Sequence, residues 1–259
     1  MSPKRSQPVA KASKPSKSSS KKIKMSAEDR KDAILKQALT LFARDGYHGV
    51  TTRQLAKAAG VSEALLFKYF PTKQALRDRL YRHCMRNFTL DDEKISQLEP
   101  STTSLVRLIY FCTRVPVLHA IARQSTMSRL INQSLLGDGV FAQLILQGQS
   151  LINMEAKAVA CLKAGIACGE IEKAGPALAD RFWFARNAVH MTAMHHMPEK
   201  PIRRYTGTPR EVVVSLTCFA LRGMGLSDAA LSRYASAKRL AEIEQNESET
   251  LLLPHLRSS

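Results

Sequence analysis

The chain has 259 residues, 44% of them hydrophobic and 6% aromatic, and a formal net charge of +17. That length allows one large or two modest domains with real apolar cores, and we read two; the Leu/Ala-rich segments, poor in Val-Ile-Thr alternation, predict an all-α fold. No apolar run approaches the ~18 residues of a membrane span and the amino terminus lacks an apolar signal region, so a cytoplasmic protein without a membrane partner is expected.

Residues 1–24 hold eight Lys/Arg and no acid, residues 25–90 twelve against six, and the remaining 169 nineteen against sixteen. Such concentration of positive charge suits a front half that meets a polyanion and a near-neutral remainder. Residues 1–24 are Lys, Ser and Pro with almost nothing to bury. They read as a disordered basic tail, either simply solvated or following a phosphate backbone without reading sequence.

From Ala27 to Asp45 the apolar positions Ile34, Leu35, Ala38, Leu41 and Phe42 mark one face of an amphipathic helix, with Ser26 as its cap and Gly46 as its stop. After the bend Tyr47 to Val50, residues 51–73 read as two short helices joined by a tight turn. Thr51 or Thr52 caps the first, which carries Leu55, Ala56 and Ala59 on one side. Gly60 supplies the positive φ that ends it, and Ser62 caps the second, in which Leu66 and Phe70 face inward. Glu63, Ala64, Leu65, Phe67, Lys68 and Tyr69 are left pointing elsewhere on a helix too short to be stable alone. A helix-turn-helix laying that face into a DNA major groove explains the pattern.

The ordered set from Gly46 to Leu76, with Thr51-Thr52-Arg53, Leu55-Ala56, Gly60-Val61-Ser62, Leu66-Phe67-Lys68-Tyr69-Phe70, Lys73 and Ala75-Leu76, resembles the amino-terminal domain of TetR-family transcriptional regulators. The resemblance implies a three-helix DNA-binding domain at 25–90, an effector-binding and dimerisation domain at 91–225, and a carboxy-terminal helix and tail at 226–259. It also implies that Arg53 enters the groove, where Arg suits bidentate contact with guanine. Thr51 and Thr52 suit phosphate. Glu63, Ala64, Leu65, Phe67 and Lys68 form the proposed reading face, Ser62 is counted among the DNA-binding residues beside it, and Tyr69 and Lys73 stand where phosphate is commonly clamped. The family usually has Tyr where this chain has Phe67, which is therefore either an apolar base contact or packing.

Beyond Pro71, Thr72 is expected to cap a helix through Ala75, Leu76, Leu80, Cys84 and Phe88, followed by a polar joint at Asp91 to Pro100. Further helices are predicted at about 102–114, 116–136, 138–168, 176–196 and 209–223, parted by Pro116, Gly137-Asp138-Gly139, 169–175 and 198–209, with a last helix over 226–245. By the resemblance, 176–196 and 209–223 pair with a second copy in a four-helix bundle through Phe182, Val189, Val213, Leu216 and Ala220; a fully intramolecular core is the alternative. An unknown small-molecule effector would bind among the regulatory helices. Tyr110, Arg114, Met127, Met154, Trp183 and Asn187 have suitable chemistry, and equally suit core filling.

Five cysteines without Cys-x-x-Cys spacing are expected to be reduced and mostly buried. His190 and Met194 are the only i, i+4 pair among the ligating residues near His195 and His196. No metal and no cofactor is expected. The absence of Gly-x-Ser-x-Gly, a phosphate loop, His-Glu-x-x-His or a placed nucleophile and base argues against an enzyme. The reading is a homodimeric regulator, most simply a repressor, released from palindromic double-stranded DNA by a small molecule. The alternative is a DNA-binding protein of the same fold with no such effector, architectural or answering to a protein partner.

Overall fold

The computed structural model describes residues 26–86, 91–124, 126–246 and 251. The expectations for residues 1–24, for Phe88 and for most of the tail after 246 lie outside the described residues. Within them the fold is all-α, and the one β-bridge pairs Ile171 with Leu226.

The front of the chain folds as its local signals require. α1 (Ala27–Gly49) starts at a Ser26 capping box, and its regular turn breaks at Gly46, which sits at φ 73°. α2 (Thr52–Ala58) is capped by Thr51, whose hydroxyl accepts from the Gln54 amide while the Gln54 side chain accepts from the Thr51 amide. Gly60 takes φ 66°, a conformation in which a side chain is strained. α3 (Glu63–Tyr69) starts at Ser62, and α4 (Lys73–Arg86) at Thr72, whose hydroxyl accepts from the Ala75 amide. Ile34, Leu35, Phe42, Leu55, Leu66, Phe70, Leu76 and Leu80 close one core beneath them.

The remainder departs from its predicted boundaries. The expected polar joint is a short helix, α5 (Asp92–Gln97), capped by Asp91 and anchored by the fully buried Ile95. At one and a half turns it shows no periodicity to read. α6 (Thr102–Ile121) runs straight through Pro116, where a break was predicted. An interior proline costs about 3 kcal/mol. Burial of Leu105, Val106, Leu108, Ile109, Phe111 and Val117, at roughly 1.5–3 kcal/mol each, outweighs it. By length and composition α6 is also apolar enough to cross a membrane, contrary to the expectation that no such stretch exists; 56% of that window is buried inside the protein.

α7 (Thr126–Leu135), α8 (Val140–Leu146) and α9 (Gln149–Ala167) follow. The single helix predicted over 138–168 is two, because Gly148 is extended. A Cβ there would press on the Leu144 and Ile145 carbonyls at 3.1 Å and the Tyr81 hydroxyl at 3.2 Å. α10 (Leu178–His196) and α11 (Pro209–Gly223) match the predicted pair. The predicted last helix is also two, α12 (Asp228–Tyr234) and α13 (Ala237–Gln245), each started by a serine cap. α6 lies at the centre of this half, packed by α9, α10, α11, α12 and α13.

The proposed division at residue 90 does not follow the cores. Leu130 of α7 with Phe141 and Ile145 of α8 belong to the amino-terminal core, beside Met127 and Ile131. Gln133 donates to the Arg44 carbonyl at 3.5 Å, and Asp138 accepts from His48 and Arg77. Burial pushes the Asp138 carboxyl up, but the Val140 amide, His48 and Arg77 together hold it below the usual range. On its other side α7 meets the end of α10, through Asn132 to His190 at 2.8 Å and through Arg129 to the Met197 carbonyl.

Candidate nucleic-acid interface

α3 is too short to persist alone, so its exposed face depends on how α2 and the core hold it. Leu66 and Phe70 turn inward and are buried. Glu63, Ala64, Phe67 and Lys68 are exposed and share one side, while Leu65 and Tyr69 sit half-buried on its flank. The Thr52 hydroxyl donates to the Glu63 carboxylate at 2.6 Å, tying the two helices at their starts. Glu63 therefore keeps one oxygen for a donor outside the chain.

Arg53 is exposed at the start of α2, and among the described residues neither it nor Lys68 has a hydrogen bond or ion pair. The Tyr69 hydroxyl likewise bonds to no described residue, and its ring lies 5.9 Å from the Lys31 ammonium. Two free cations and a free phenol beside an exposed helix face fit phosphate and base edges. Phe67, 43% exposed, presents an apolar ring to solvent rather than to the core, which favours contact over packing.

Four of the expected contacts have other partners, the Thr52 hydroxyl being given to Glu63. The Thr51 and Ser62 hydroxyls are engaged as helix caps, Ser62 accepting from the Leu65 amide at 3.1 Å. Lys73 is turned away from the exposed face. Its ammonium donates to the Tyr47 carbonyl at 2.5 Å and stands 4.3 Å from the Tyr47 ring, and burial lowers its proton affinity. It closes the end of α1 rather than reaching outward.

The six residues expected to line an effector pocket do not come together. Tyr110 and Arg114 both bond to Glu244 of α13, at 3.0 and 2.8 Å. Trp183 donates to Glu155 at 2.8 Å, and Met154 is buried in the carboxy-terminal core. Met127 packs on the amino-terminal core instead, and Asn187 is exposed. The sequence shows the chemistry of these residues, but Glu244 lies 130 positions from Arg114 and nothing local announces it.

The residues expected at a dimer interface lie largely in the chain's own core. Phe182, Val189, Val213 and Ala220 are buried within their own chain and Leu216 is half-buried. The apolar side chains that α10 and α11 leave in solvent are Phe184, Met191 and Phe219, 60%, 52% and 64% exposed. Phe184 and Met191, seven apart, lie on one helix side. The signal was present in the pattern, since both helices are apolar on more than one face, but it does not say which face is inward.

The histidines near the end of α10 have organic partners, His190 with Asn132 and His195 with the Tyr205 hydroxyl. Cys84 and Cys161 are buried, Cys112 and Cys218 half-buried and Cys168 exposed, all as free thiols. Burial pushes the Cys84 thiol up to about 12, so it is unreactive at neutral pH.

Residues 34–80 match the family described as bacterial regulatory proteins, tetR family. The chain is 34% identical over 89 residues to the nucleoid occlusion factor SlmA of Actinobacillus pleuropneumoniae serotype 5b (strain L20), covering 34% of this chain and 44% of that protein. It is 49% identical over 47 residues to the HTH-type transcriptional regulator RutR of Escherichia coli (strain K12), covering 18% and 22%. The matches thus span less than half the length of these relatives. A solved gamma-butyrolactone receptor (ArpA like protein) shares the fold, with a TM-score of 0.54 and 18% identity over 83% of this chain and 98% of that one.

Proposed function

We propose, because residues 34–80 make this chain a member of the tetR family of DNA-binding transcriptional regulators, that it acts in the cytoplasm as a homodimer repressing transcription from a palindromic site and releasing it for a small-molecule effector. The observation that carries the reading is the exposed face of α3, with Glu63, Ala64, Phe67 and Lys68, set beside the unpaired Arg53. Phosphate is left to Tyr69, Lys68 and the amides at the starts of α2 and α3. Lys73 takes no direct part.

The dimer rests on Phe184, Met191 and Phe219, apolar side chains that a second copy of α10 and α11 would cover. Two copies related by a twofold axis call for half-sites about one helical turn apart or somewhat more. Selection from a random duplex pool with the full chain tests the reading, together with light scattering to give its mass. Enrichment of an inverted repeat bound by two chains is expected. A monomer that enriches nothing, even in dilute salt, refutes it.

A further inference from the structure

Arg186 of α10 is a half-buried guanidinium without a counter-ion. It lines the narrow gap between α6 and α10 with Ile109, Cys112 and Thr113 on one side and Phe182, Ala185 and Val189 on the other. Among the described residues no carboxylate pairs with it and no carbonyl accepts from it. The contact it does make is with the Trp183 ring, 5.8 Å away, whose indole N–H is already given to Glu155. The contrast with Arg181 on the same helix is instructive. Arg181 is buried more deeply, and its nitrogens reach the carbonyls of Glu172, Lys173, Ala174, Pro176 and Met224.

The surroundings register that uncompensated charge. Burial lowers the Arg186 proton affinity, opposed by the Cys112 thiol. Burial also lowers His190, one turn on, and the Arg186 charge adds to the effect. No nitrogen of Arg186 is wholly cut off from solvent, but a half-buried cation without a counter-ion is still stabilised when something anionic meets it. The gap itself holds a free volume of ≈ 10 Å³, room for about one water, so an occupant larger than that must part α6 from α10.

We propose that Arg186 anchors an anion site for a small organic acid, whose carboxylate lies against Arg186 and whose apolar body enters between α6 and α10. This rests on the effector reading given above and names the chemical class of the effector. It also supplies the coupling. His190 bonds to Asn132 of α7, and α7 packs on α1, so displacing α10 pulls on the element that bears the DNA-reading helices. The acid stabilises the displaced arrangement because it binds that arrangement better.

The test uses the full chain and a panel of straight-chain and phenyl-substituted monocarboxylates, each against its primary amide, on wild type, Arg186→Met and Arg186→Lys. Without additive, Arg186→Met is expected to melt higher than wild type, since an apolar stem replaces a lone charge. At least one acid is expected to raise the wild-type melting temperature and release DNA while its amide does neither. Its affinity should fall about tenfold or more in Arg186→Met and less in Arg186→Lys. A panel with no responding acid, a response that survives in Arg186→Met, or a lower melting temperature for that variant overturns the proposal. An amide that matches its acid overturns the anion site and leaves the effector reading standing. Loss of the dimer in Arg186→Met also overturns it, by assigning the guanidinium to a partner chain.

Discussion

The Thr52 hydroxyl donates to the Glu63 carboxylate at 2.6 Å, across the turn that separates two seven-residue helices. This bond sets where the first residue of the exposed helix face points. Thr52→Val keeps the branched shape and removes the donor. The bond is exposed, so stability should fall by no more than about 1 kcal/mol. Discrimination among operator variants at the position facing Glu63 should fall with it. Denaturation with urea and binding to a single-base operator series measure the two separately. Unaltered discrimination would mean that Glu63 does not read the site.

Arg53 and Lys73 should part company. Arg53→Ala removes an unpaired exposed cation, leaving stability within about 0.5 kcal/mol and costing about 1–3 kcal/mol of preference at one base pair. Lys73→Ala removes the closure on the Tyr47 carbonyl, so it should lower the melting temperature and leave the salt dependence of binding unchanged where the protein is still folded. A reduced salt slope for Lys73→Ala would return it to the phosphate contacts.

Phe184→Asp and Val213→Asp, on adjacent helices, should fail differently. The Phe184 side chain is exposed, so its replacement should yield a folded monomer visible by light scattering, with helicity retained. Val213 is 1% exposed, so its replacement buries a charge in the chain's own core and should cost several kcal/mol. A folded dimer from Phe184→Asp would place the interface elsewhere.

Tyr110 predicts an alkaline weakness. Its hydroxyl donates to Glu244, and burial, with the Glu244 charge added, pushes it up to about 12 from 10.0. The native state thus keeps a proton that the unfolded chain loses. The contribution is complete below pH 10 and disappears as pH rises from 10 to 12, amounting to roughly 2–3 kcal/mol for a shift of that size. Tyr110→Phe should flatten the fall in stability over that window. An identical pH profile in the variant would show that the phenol does not titrate with unfolding.

The amino-terminal helices and their caps were legible because each is decided within a few residues. Thr51, Gly60, Ser62 and Thr72 act on backbone groups next to them, and Leu55, Leu66 and Phe70 mark the inner face by spacing alone. From these residues alone follow the paired short helices and the face that α3 exposes.

Tertiary structure decided what depends on partners distant in the chain. Lys73 is turned to Tyr47, Glu244 occupies Tyr110 and Arg114, α7 and α8 join the amino-terminal core, and burial carries α6 past Pro116. In a helix apolar on more than one side, such as α10, periodicity cannot say that Val189 goes inward and Met191 outward. Only the neighbour that arrives in the folded chain removes one face from water, and the exposure of Phe184 and the isolation of Arg186 follow from which neighbours did not.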